Sequence, residues 1–207
     1  MIRVKVCGIT SPKDGKWAAQ CGADAIGVIF IESPRQIDVA QAAEIVAAIP
    51  PYTTPVGLFA EASEEEIAET ASKVGLRVVQ LHGDFPPEAA LGLKRKGLKV
   101  VKAIAVGSRE DIREMRGYPA DAFVLDTKVK GKYGGTGKTF DWSLAGEAKE
   151  LGLVILAGGL GPDNVADAVR QVKPYAVDAS SRLESEPRVK DPELVRSFVE
   201  LAKQASC

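Results

Sequence analysis

Six short stretches carry side chains able to move protons or hold an anion, and each follows an apolar run. They are Cys7, Arg35 in Ser33-Pro34-Arg35, Gln80 with His82, Asp126, Gly158-Gly159, and Asp178 followed by Ser180-Ser181. Together they offer one thiol, two carboxylates, an imidazole and a guanidinium. The stretches AGGLGPDNV and DASSRLES add small residues whose backbone N–H groups can approach an anion, the first of them opening a helix whose N-terminus favours negative charge. The plainer reading of both is a pair of tight turns. The chemistry that fits the whole set is acid–base work on a small phosphorylated molecule.

Other chemistries lack their parts. His82 is the single histidine, and no G-x-S-x-G elbow accompanies it, which disfavours a Ser-His-Asp hydrolase. A structural zinc site needs four ligands, yet the three cysteines, Cys7, Cys21 and Cys207, are scattered and form no C-x-x-C pair. Neither a metal nor a cofactor is expected. Residues 131–139, GKYGGTGKT, approach the P-loop pattern but place five residues between Gly131 and Gly137 where four are needed. A glycine-rich loop closing over the site fits that segment better. With 27 basic and 28 acidic residues the net charge is −1, which argues against a nucleic-acid or membrane-surface partner. No apolar run reaches the ~18 residues of a membrane span, and MIRVKVCGIT has no signal-peptide core. A cytoplasmic protein is expected, as a monomer or homodimer.

Eight apolar runs supply the scaffold: 2–7, 25–30, 55–59, 77–81, 99–104, 122–126, 152–157 and 175–178. Their richness in Val, Ile, Leu and Phe is that of strands buried on both faces. Helical patterns lie between them, with start signals at Ser11-Pro12, Asp38, Ser63 with Glu66, Ser108, Asp163 and Asp191-Pro192, and a stop at Gly22. The strands begin 23, 30, 22, 22, 23, 30 and 23 residues apart. That spacing predicts a single-domain (β/α)8 TIM barrel over residues 1–207, at the small end for the fold. An open doubly wound sheet would want G-x-G-x-x-G after the first strand, where this chain has Cys7-Gly8-Ile9-Thr10. In a barrel the site lies at the C-terminal strand ends, where the six stretches fall.

The strings VKVCGIT, GVIFIESPRQI, VGLF, VVQLHG, VLDTKVKGKYGGTGKTFDW, LAGGLGPDNV and VDASS, in this order, resemble the phosphoribosylanthranilate isomerase family of tryptophan biosynthesis. The resemblance spans nearly the whole chain. It implies a metal-free Amadori rearrangement of N-(5-phosphoribosyl)anthranilate to 1-(o-carboxyphenylamino)-1-deoxyribulose 5-phosphate. It implies Asp126 as the acid that protonates the ring oxygen and Cys7 as the base at the carbon bearing the 2-hydroxyl. It also implies Arg35 as partner of the anthranilate carboxylate.

Isolated Asp and Cys titrate near ~3.9 and ~8.5, so each must be shifted to serve at neutral pH. Burial and Asp178 can raise Asp126, and a cation or helix N-terminus can lower Cys7. Strand alternation places Lys5 on the face of Cys7, making Lys5 a candidate for that cation. His82 reads equally as a structural imidazole or a substrate contact, and Asp178 as a partner of sugar hydroxyls or of Asp126. The chain departs from the family at Arg182, where a glycine usually follows the paired serines, and in Leu183–Pro187. Arg182 has three readings: a phosphate contact, a residue strained at positive φ, or a solvent-facing or weakly contributing charge, the last being favoured because backbone N–H groups suffice for an anion at such a turn. Two rivals stand beside this assignment. The histidine-pathway aminoaldose isomerase usually ends its first strand in Asp, where this chain has Cys7. A non-catalytic phosphate-binding barrel would leave Cys7 and Asp126 without a task.

Overall fold

The computed structural model describes residues 1–127 and 141–206. Eight parallel strands close into a barrel in sequence order: β1 Arg3–Val6, β2 Ala25–Ile29, β3 Thr54–Phe59, β4 Val78–Leu81, β5 Lys99–Val106, β6 Ala122–Thr127, β7 Val154–Leu156 and β8 Ala176–Ala179. Each overlaps one of the eight apolar runs. The barrel closes where Lys5 of β1 stands beside Asp178 of β8.

The helices are α1 Pro12–Gln20, α2 Val39–Ala48, α3 Glu64–Val74, α4 Pro87–Arg95, α5 Arg109–Arg113, α6 Ser143–Ala148, α7 Val165–Val172 and α8 Pro192–Gln204. Ser11, Asp38, Ser63, Ser108 and Asp191 cap their helices as expected, and Gly22 follows the end of α1 at φ 92°. The expected cap at Asp163 is corrected by one residue. Asn164 is the N-cap of α7, whereas the Asp163 carboxylate pairs with Arg182.

Two apolar layers result from strand alternation. Outward side chains such as Val4, Val6, Val79, Leu81, Val100 and Leu125 pack beneath the helices. Inward ones fill the barrel in two groups. Val101, Ala103, Ala122, Val124, Ile155, Ala157 and Ala176 form one; Cys7, Ile29, Val56 and Leu58 form the other. Polar inward positions, among them the buried Lys5, Gln80 and Asp178, are therefore held in a packed frame.

After β8 the chain makes a 3-10 turn at Ser181–Leu183 and a hairpin of two short strands, β9 Glu184–Glu186 and β10 Val189–Lys190. That hairpin was not foreseen. Residues 131–139, read as a closing loop, lie outside the described residues.

Candidate active site

A cleft of about 870 Å³ opens at the C-terminal ends of the strands. Cys7, Arg35, His82, Asp126, Gly158, Gly159, Asp178, Ser180 and Ser181 all line it, so every residue expected in the site is brought to one cavity. Its two halves differ. Ile29, Phe30, Ile31 and Leu58 make an apolar wall on the side of β2 and β3, with Phe30 stacked on Phe59 at 4.9 Å between ring centres. The loops after β7 and β8 make a polar wall.

The polar wall is built of backbone. Among the described residues, the N–H groups of Gly158, Gly159, Leu160, Ser180 and Ser181 have no acceptor. Leu160 is buried and the other four are half-buried; such N–H groups usually find a partner. All five residues line the cleft, and N–H groups so placed can cradle an anion. The Ser180 hydroxyl is buried and unpartnered there as well.

Asp126 ends β6 beside this cradle. Burial pushes its carboxyl up to about 6, with Asp178 adding to the rise and the Thr127 N–H and Lys5 opposing it. The Thr127 N–H donates to Oδ1 at 2.7 Å, which fixes the carboxyl's orientation. Gly158 packs against it: a Cβ there, already strained at φ 80°, would stand 3.0 Å from Asp126 Oδ1 and 2.7 Å from Thr127 N. A carboxyl in this state is a proton donor near neutral pH.

Cys7 is buried at the end of β1, and its Sγ occupies room left by a glycine, since a Cβ on Gly27 would lie 2.6 Å away. The sequence left open whether a cation lowers the thiol. Burial raises Cys7, and the pull of Lys5 toward the thiolate does not overcome it. Lys5 is nonetheless the cation inside the barrel. Its Nζ donates to Asp178 Oδ2 at 2.6 Å, and although burial disfavours the ammonium, Asp178 and Cys7 keep it charged.

His82 is a neutral imidazole, pushed down to about 4 by burial and by Lys5 and Lys102. Its Nε2 is 2.8 Å from Gln80 Nε2, a hydrogen bond that ties the two buried side chains together. Buried Gln80 Oε1 and Asp178 Oδ1 have no partner among the described residues, leaving two acceptors for hydroxyl or amine protons.

Arg35 reaches the cleft but is not free. Its Nε and Nη2 donate to the two oxygens of Glu184 at 2.6 Å each, and Lys190 Nζ binds the same carboxylate at 2.8 Å. Glu184 and Lys190 were missed because they lie on the unforeseen hairpin; an isolated Glu in ESEP gives no motif to read. Arg182 is also corrected. Its side chain is half-buried and bonded, and it is not strained: among the described residues, positive φ outside glycine occurs at Glu61, Lys173 and Arg188. Its guanidinium binds Gly159 O at 3.0 Å and Asp163 at 2.8 Å.

A family model of N-(5'phosphoribosyl)anthranilate (PRA) isomerase matches residues 4–201. The chain belongs to the phosphoribosylanthranilate isomerase family. Among curated relatives, the N-(5'-phosphoribosyl)anthranilate isomerase of Geobacter sulfurreducens is 47% identical over 98% of this chain and 99% of its own. The crystal structure of phosphoribosyl anthranilate isomerase from Thermotoga maritima superposes with a TM-score of 0.91 at 40% identity, covering 99% of this chain and 100% of that one. A further phosphoribosyl anthranilate isomerase structure, in complex with reduced 1-(o-carboxyphenylamino)-1-deoxyribulose 5-phosphate, superposes at 0.89 and 36% identity, covering 99% and 100%. Phosphoribosylanthranilate isomerases thus match this chain in sequence and in fold along its length. Among the described residues, no group of three or more His, Cys, Asp or Glu is placed to hold a metal, and no helix is long and apolar enough to cross a membrane.

Proposed function

We propose that this protein isomerises N-(5-phosphoribosyl)anthranilate to 1-(o-carboxyphenylamino)-1-deoxyribulose 5-phosphate, a step of tryptophan biosynthesis, by general acid–base catalysis. One observation carries the reading. The Asp126 carboxyl, raised to about 6, shares a cleft with the Cys7 thiol and a row of unpartnered backbone N–H groups. A proton donor, a latent base and an anion cradle are what the reaction needs in one place.

The apolar wall with Arg35 at its edge suits an anthranilate ring and its carboxylate, and the opposite wall suits a phosphate. Asp126 gives its proton to the furanose ring oxygen as the C1–O bond breaks, and the nitrogen lone pair forms the C=N bond of an iminium. The Cys7 thiolate then removes the proton on the carbon bearing the 2-hydroxyl. That C–H pair forms C1=C2 while the C=N pair returns to nitrogen, giving an enolamine. Moving a proton from its oxygen to carbon yields the ketose. Every atom is kept, and the iminium is the electron sink.

Asp178 Oδ1 is the acceptor available to a sugar hydroxyl, and Lys5 favours the charged states of both Asp178 and Cys7. The free Cys7 and Cys21 thiols accord with a cytoplasmic protein, and the near-zero net charge with a small-molecule partner only. The test is a fluorescence assay of purified protein with freshly made phosphoribosylanthranilate and no added metal. Catalysed loss of the substrate signal with formation of the aminoketose supports the reading; loss at the spontaneous rate rejects it.

A further inference from the structure

The loops after β7 and β8 meet through one side chain. Arg182 Nη1 donates to Gly159 O at 3.0 Å, and Arg182 Nη2 pairs with Asp163 Oδ1 at 2.8 Å. Asn164 Nδ2 donates to the same Gly159 oxygen at 3.0 Å while Asn164 Oδ1 accepts from Gly161 N at 2.9 Å. Gly161 leaves space for this contact, since a Cβ there would stand 3.1 Å from Arg182 Cζ.

The carbonyl so held belongs to a segment with little stiffness of its own. Gly158 and Gly159 occupy φ 80° and 64°, and a glycine pair has many alternative conformations to lose. A peptide is planar and trans, so fixing the direction of Gly159 C=O fixes the Leu160 N–H in the opposite direction. That N–H is one of the cleft-lining groups without an acceptor. The guanidinium spends its bonds on the loop, and its partner Asp163 is a carboxylate held below its usual range by this contact.

We infer that Arg182 is a positioning residue: it clamps the loop after β7 to the turn after β8, so that the N–H cradle is set before the anion arrives. A cradle ordered in advance binds more tightly because less freedom is lost on binding. The inference rests on the reading that these two loops hold the substrate phosphate.

The experiment measures inorganic phosphate affinity, and KM and kcat separately, at low and high salt for the wild type, Arg182→Met, Asp163→Ala and the double variant. Positioning predicts that each single variant weakens phosphate binding and raises KM by about fivefold, the scale of one ordinary hydrogen bond's net worth, with kcat within about twofold. The double variant is expected to be no worse than Arg182→Met, because the two side chains act as one unit. Asp163→Ala separates the alternatives. If the guanidinium itself bound phosphate, removing its carboxylate partner would free it and tighten binding, which overturns the proposal. Unaltered phosphate affinity in both single variants also overturns it while leaving the phosphate reading intact. A wild-type protein that does not bind phosphate rejects that reading and the inference together. Should Arg182→Met fail to fold, Asp163→Ala alone decides.

Discussion

Lys5 and Asp178 are register partners on β1 and β8, and their side chains close a 2.6 Å ion pair inside the barrel. Breaking such a pair by removing one member leaves an uncompensated buried charge, which typically costs about 3–5 kcal/mol. Here the same ammonium also draws Cys7 toward its thiolate. Lys5→Met is therefore expected to lower stability by about 3 kcal/mol and to move the Cys7 titration further upward. Denaturant melts read the first effect, and ultraviolet thiolate absorbance against pH reads the second. A thiol that titrates as in the wild type would remove Lys5 from the chemistry.

Activity should show a plateau with two limbs. Asp126 titrates near 6 and Cys7 is raised above an ordinary thiol. The productive form has the acid protonated and the thiol ionised, the reverse of the majority state. Below about pH 6 Asp126 stays protonated while thiolate falls with pH, so kcat/KM falls. Between the two titrations gain of thiolate and loss of acid cancel. Above the Cys7 titration only the acid is lost, and the rate falls again. A single alkaline limb with no fall below pH 6 would contradict this pairing.

The same shift has a stability consequence. Folded Asp126 keeps its proton up to about pH 6, whereas the unfolded chain releases it near ~3.9. The proton-linked stability is full below the unfolded value and is lost as pH rises through the folded one. Asp126→Asn should lack this loss, so its melting curves should fall less between pH 4 and 6 than those of the wild type. Equal slopes for both proteins would place the ordinary carboxyl value on Asp126.

Arg35→Ala should weaken binding of a benzoate-bearing ligand by about 1–3 kcal/mol and hardly affect an analogue lacking the carboxylate. Two of the Arg35 nitrogens are committed to Glu184, and Arg35 lines the cleft, so Nη1 is the nitrogen left to meet a ligand. If calorimetry shows the same loss for both ligands, Arg35 holds the hairpin after β8 and not the carboxylate.

Arg188 occupies φ 79°, a region costly to a side chain, and its Nη1 donates to Pro34 O at 2.7 Å and Gln36 O at 3.2 Å, the carbonyls flanking Arg35. Arg188→Gly relieves about 1 kcal/mol of backbone strain and cuts that tie. Unfolding midpoints should stay level or rise while KM increases. A raised midpoint with unchanged KM would leave Arg188 without a role in placing Arg35.

The barrel was legible because doubly buried strands leave apolar runs at regular intervals, and the site because barrels gather chemistry at strand ends. Cys7, Asp126 and the paired glycines and serines were picked out on that ground, and all of them line the cleft. The hairpin after β8 was not, since β9 and β10 are three and two residues long and carry no alternation to read. Arg35 was recognised, but its pairing with Glu184 is a contact across 149 positions that no local pattern announces. Lys5 was read as a cation able to lower Cys7, and its pull is present; the sequence carries that neighbour but not the depth of burial that outweighs it. Asp163 and Asn164 are both good cap types, and no local pattern chooses between them; Asn164 takes the N-cap position, its side chain bonded to Gly159 and Gly161, while Asp163 pairs with Arg182 of the next loop.

Turnover of folded Asp126→Asn and Cys7→Ala on fresh phosphoribosylanthranilate tests the acid–base account most directly. The amide keeps the shape of Asp126 without an acidic proton to give, and alanine removes the base. Each positioned acid or base is commonly worth about 10²–10⁴ in rate, and losses of that order in kcat are expected for both variants, with melting curves still cooperative. Near-normal turnover by either folded variant would contradict its assigned role.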